Sequence, residues 1–166
     1  MMTQDVFVAI AFYVLAVGMV LAAFAVVALP RIVHSALALV AFFVLTSGVY
    51  VLLQAEFLAA VQLIIYVGAV TVLFLFAIML TNRSYAPDSN PPNRQYLAAG
   101  LVSLTVLATL LFAISQQRWP SGGSVPDNVT PILGQLMLGP FILPFEIAAV
   151  LLLVAMIGAI VIGKEN

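Results

Sequence analysis
The sequence predicts an all-α integral membrane protein with five transmembrane helices. Three observations predict it. Hydrophobic residues make up 65% of the 166-residue chain and charged residues 7%, with a mean hydropathy of +1.26. A soluble domain keeps a large polar exterior and cannot hide that much apolar surface. The apolar residues run in continuous stretches, and roughly 20 such residues cross a bilayer at about 1.5 Å rise each. Those stretches lack the period-2 alternation of a membrane β-barrel. The expected organisation is one membrane domain over 1–166, with spans at 6–29, 32–53, 56–80, 96–115 and 145–162.

The first span lacks a basic n-region and a convincing cleavage site, so it is expected to be a retained helix. Its Gly18 and Ala22 form a small-xxx-small pair, which permits close helix approach. Pro30 and Arg31 end the run in a tight turn. The second span opens with His34 and Ser35, near an interface. His34 is either a group titrating near neutral pH or an interfacial residue satisfied by backbone and water. Gln54 to Glu56 form a second short turn. After the third span, Asn82 to Asn93 carry three prolines and several turn formers, the composition of an exposed loop. In the fourth span, Ser103, Thr105 and Thr109 can bond back to helix carbonyls. Gln116 to Gly139 is the longest connection, and Trp119 within it suits an interface. Asn128 to Leu138 can form a short surface helix, with Pro131 in its first turn and Ile132, Leu133, Leu136 and Met137 apolar. Pro140 to Pro144 feed the fifth span. Its Ala155, Ala159 and Gly163 recur at four-residue steps, a small-residue stripe expected to pack inside an assembly.

Five spans put the termini on opposite sides. Arg31, Arg83, Arg94 and Lys164 share one side, and Arg118 stands alone on the other. The positive-inside rule then places the N-terminus outside and the C-terminus in the cytoplasm.

The third span holds the polar residues that lipid disfavours: Gln62, Tyr66, Gly68 and Thr71. Gln62 and Tyr66 are i and i+4 and share a face of an ordinary helix. Thr71 lies about 140° from Tyr66 at roughly 100° per residue. One extra residue in a π-type turn near Gly68 swings Thr71 onto the Gln62/Tyr66 side. Gly68 and Ala69 ease such a turn, and π-bulges tend to mark functional sites. The other account is ordinary interhelical hydrogen bonding and small-residue packing.

Several function classes are excluded. A net charge of −1 gives no nucleic-acid footprint. The absence of cysteine removes disulfides and thiolate ligands for iron–sulfur clusters. One histidine and few carboxylates make a self-contained metal site unexpected. There is no glycine-rich phosphate loop and no Ser/His/Asp or Cys/His arrangement. Glu56 and Glu146 sit near the outer ends of the third and fifth spans. Each is either a first-turn carboxylate favoured by the helix N-terminus or a group in proton or quinone chemistry. The chain lacks the run of intramembrane Lys and Glu residues of a conventional proton relay, and no internal repeat suggests an inverted-repeat transporter.

Phe57 to Val70, FLAAVQLIIYVGAV, continuing through Val72 to Leu80, resembles the signature of the J chain (mitochondrial subunit 6) family of proton-pumping NADH:quinone oxidoreductase, complex I. Pro144-Phe145-Glu146-Ile147-Ala148, running into Leu151 to Ile160, and Val33-His34-Ser35-Ala36-Leu37 resemble it too. The resemblance covers the second, third and fifth spans. Many members open the second span with Asn-Pro, where this chain has Arg31-Ile32 after Pro30; some carry a carboxylate where Gln62 stands. A ferredoxin-accepting photosynthetic relative has the same Gln and a similar Leu-Pro-Phe-Glu opening to the fifth span.

The resemblance implies a third helix that changes between bulged and regular forms, involving Tyr66, Gly68 and Val72 with Thr71 beside them. It implies a place in the inner (plasma) membrane next to K- and H-type subunits, in a complex that also contains A- and N-type subunits and lipid. Quinone, FMN and iron–sulfur clusters would belong to partner subunits, with no cofactor bound by this chain. The candidate switch set is Gln62, Tyr66, Gly68, Thr71, Val72 and Glu146. The expected function is coupling of quinone reduction to proton translocation. The rival expectations are a small subunit of a cation/proton antiporter complex and a purely structural bundle subunit.

Overall fold
The computed structural model describes residues 2–81, 95–117 and 129–164, with side chains described from residue 6 onward. Among these residues all regular structure is helical. Five helices are long and apolar enough to cross a membrane, so the chain is a multi-pass membrane protein. They are α1 (Met2–Ala28), α2 (Ile32–Leu52), α3 (Glu56–Leu80), α4 (Tyr96–Gln116) and α6 (Ile142–Gly163); the shorter α5 is Val129–Leu138. The loop expected at Asn82 to Asn93, and Trp119 and Arg118, lie outside the described residues.

The chain divides into two compact units, Met1–Phe76 with Val125–Asn166, and Ala77–Ser124. In the first, α1 packs on α2 and α2 packs on α3. Glycine makes the α1–α2 contact close from both sides. A Cβ at Gly18 would stand 3.2 Å from a Leu45 methyl, and one at Gly48 would stand 3.2 Å from a Leu15 methyl. Each leucine therefore fills the space its facing glycine leaves, as small residues allow at membrane helix interfaces. At the α1–α2 turn the Ser35 hydroxyl donates to the Leu29 carbonyl at 3.1 Å, satisfying a carbonyl that the end of α1 leaves without a helical donor.

The α2–α3 turn is a Schellman closure. The Gln54 N–H donates to the Val51 carbonyl and the Ala55 N–H to the Tyr50 carbonyl, at 3.0 and 2.9 Å. This geometry needs a left-handed residue after the helix, and Gln54 takes it with φ of 58°. Glu56 then falls in the first turn of α3.

In the second unit, the Thr105 and Thr109 hydroxyls of α4 donate to the carbonyls four residues back, as their positions suggested.

The start of the last span differs from expectation. It starts at Ile142, not Phe145, because Pro144 lies in the first turn, where a missing N–H costs nothing. Glu146 consequently falls beyond that turn, and the first-turn dipole account does not hold for it. The connection into α6 is tight: a Cβ at Gly139 would stand 2.9 Å from the Gln135 carbonyl oxygen.

Candidate functional site
The third span is a regular helix over Glu56–Val61, a π-helix over Gln62–Val70 and a regular helix again over Thr71–Leu80. The π segment takes in Gly68 and Ala69, the small residues expected to ease it. The π segment closes where the Thr71 N–H donates to the Tyr66 carbonyl, five residues back. The Thr71 hydroxyl donates to the same oxygen.

The winding decides which side chains share a face. Gln62 and Thr71 are nine residues apart, so on an unbroken α-helix they would point in roughly opposite directions. One extra residue in the turn reduces that separation to about 80°. Both are buried here, Gln62 at 7% and Thr71 at 1% relative exposure. α2 covers this part of the chain through two specific contacts. The buried Ser47 hydroxyl donates to the Ala59 carbonyl at 3.0 Å. The rings of Phe43 and Tyr66 meet edge to face, 5.5 Å between centroids, a favoured aromatic geometry.

The structure thus brings Gln62, Tyr66 and Thr71 together around one winding defect. Gly68 and Val72 lie on the exposed part of the same segment. A Cβ at Gly68 would meet only the Leu63 carbonyl, at 3.4 Å, ordinary contact. Glu146 occupies a separate position, on α6. It is exposed and opens onto a groove of about 440 Å³ lined by Leu143, Ile147, Val150, Leu151 and Val154. His34, at the start of α2, is also exposed. Among the described residues no group of three His, Cys, Asp or Glu side chains is placed to hold a metal.

Ser47 escaped the sequence reading. It is eleven residues from Ala36, close to three full turns, and these two are the buried residues of α2. A small polar residue on the same stripe as a buried alanine marks a helix-facing hydroxyl.

The family model for NADH-ubiquinone/plastoquinone oxidoreductase chain 6 matches residues 22–162. The chain is 41% identical to the NAD(P)H-quinone oxidoreductase subunit 6 of the Paulinella chromatophora organellar chromatophore, covering 95% of this chain and 78% of that one. It is 40% identical to the chloroplastic subunit 6 of Nephroselmis olivacea, over 92% of this chain and 90% of that one. It is likewise 40% identical to chain 6 of the Synechocystis sp. enzyme, over 95% and 81%. A match that takes in all five membrane helices, the first only in part, with relatives of this identity, leaves one conclusion: the chain belongs to the NADH-ubiquinone/plastoquinone oxidoreductase chain 6 family.

Proposed function
We propose that this chain is a membrane-arm subunit of a complex I-type NAD(P)H or ferredoxin:quinone oxidoreductase, and that α3 couples quinone reduction to proton translocation by changing its winding. The observation that carries this reading is the π segment Gln62–Val70, with Gln62 and Thr71 buried at its two ends. Loss of the extra residue from the turn rotates everything beyond it by about 100°. Thr71 then leaves the buried face and another part of α3 replaces it. A packed helix with two such arrangements turns a small local change into a discrete one.

The chain has no active site of its own in this reading. Electron chemistry falls to partner subunits holding FMN and iron–sulfur clusters, and quinone binds beside an H-type subunit. K-, A- and N-type subunits and lipid cover the apolar faces. The N-terminus lies outside and the C-terminus in the cytoplasm of the inner (plasma) membrane, supported by Arg31 and Lys164 at the ends of α1 and α6. The family match and the relatives' names favour a redox complex over an antiporter complex.

Gly68→Val tests the switch in the assembled complex. A branched side chain stiffens a segment that must pass between two windings. The variant is expected to assemble and reduce quinone while losing at least half of its proton pumping. Normal pumping with normal assembly would contradict the reading.

A further inference from the structure
The π winding of α3 leaves one carbonyl without a donor from its own helix. The five-residue bonds end where the Thr71 N–H donates to the Tyr66 carbonyl. Regular winding resumes at Thr71, so the Val72 N–H falls to the Gly68 carbonyl, four residues back. The change of step between Tyr66 and Gly68 passes over the Val67 carbonyl. The Thr71 hydroxyl does not serve it, since it too donates to Tyr66. In a wholly regular helix the Val67 oxygen would accept the Thr71 N–H. Val67 therefore carries an acceptor whose helical donor exists in one winding and not in the other.

Its position makes the missing donor costly. Val67 lies near the middle of the 25-residue span Glu56–Leu80, where lipid offers no hydrogen-bond donor. Backbone carbonyls in such surroundings are nearly always paired. The backbone beside this one is open. Gly68 follows directly, so no Cβ flanks the oxygen on that side. A Cβ built at Gly68 would meet only the Leu63 carbonyl, at 3.4 Å. Gln62 and Thr71 are buried, while Gly68, Ala69 and Val70 are exposed.

We infer that the Val67 carbonyl binds a single water molecule in the π winding and loses it in the regular one. The occupant has to come and go as α3 rewinds, which a water does without any neighbouring element moving. It also has to be small, because the opening is the space of one absent side chain. Its remaining hydrogen bonds fall to polar groups of the subunit that covers this face, since a buried water keeps roughly two to four partners. A ligand taken up by one of two states shifts the equilibrium toward that state, so this water favours the π form. The site needs only the π winding; its bearing on proton translocation rests on the reading of α3 as a two-state coupling element.

The test is high-resolution imaging of the assembled complex, with particles sorted by the winding of α3 over residues 62–70. The π-wound particles should show a water oxygen about 2.5–3.0 Å from the Val67 oxygen. Regular particles should show the Thr71 nitrogen about 2.7–3.2 Å from that oxygen, with the water lost. A Val67 oxygen surrounded by apolar atoms alone in the π form overturns the site. So does a side chain of a neighbouring subunit donating to it, or the same water kept in both windings. Particles π-wound in every state of the enzyme, with the water in place, would uphold the site and remove the coupling role of α3.

Discussion
At the scale of single residues, conformational cost and polar burial are concentrated between Ser47 and Thr71. Gln54 holds a left-handed backbone that disfavours a side chain. Gln54→Gly should raise the thermal midpoint of the detergent-solubilised complex, corresponding to about 0.5–1 kcal/mol at this turn; a lowered midpoint would show that the Gln54 side chain contributes more than its backbone costs. Gln62 and Thr71 were legible as candidates because polar residues in an apolar span are conspicuous. Their burial was not, because it depends on an extra residue in the helical turn that 100° periodicity does not contain. Ser47 was missed for the opposite reason: a serine within a hydrophobic run carries no distinctive spacing until its facing carbonyl, Ala59, is known.

At the scale of elements, the positions of the five long helices followed from hydropathy, since nothing else buries continuous apolar runs. The ends were less legible. Pro144 reads as a break in sequence, yet it occupies the first turn of α6, and this moved Glu146 out of that turn. The α1–α2 pair was half legible, through Gly18; its counterpart Gly48 became visible only when Leu15 was seen to enter the space beside it. Gly48→Leu should force these helices apart and destabilise the complex by about 1–3 kcal/mol, the usual cost of overpacking, read as a lower midpoint of denaturation with the winding of α3 unchanged. In α3 the sequence offered two accounts, a π turn or plain packing residues, and the structure has both: the π segment is present, and Tyr66 packs on Phe43.

At the scale of the whole molecule, the described helices leave most of their large apolar side chains exposed, and no residue of α6 is buried. That is the surface of a subunit surrounded by lipid and other helices rather than one folded around its own core. Its eleven formal charges are too few to specify partners, which is why the complex became identifiable through the α3 and α6 motifs and the family match rather than through composition. The central claim is that α3 has two windings of similar energy and that the enzyme's cycle moves between them. High-resolution maps of the complex at rest and during quinone reduction measure this directly. The account predicts Gln62–Val70 π-wound in one state and regular in the other, with Thr71 changing its acceptor from the Tyr66 to the Val67 carbonyl. The same winding and the same acceptor in every state would contradict it.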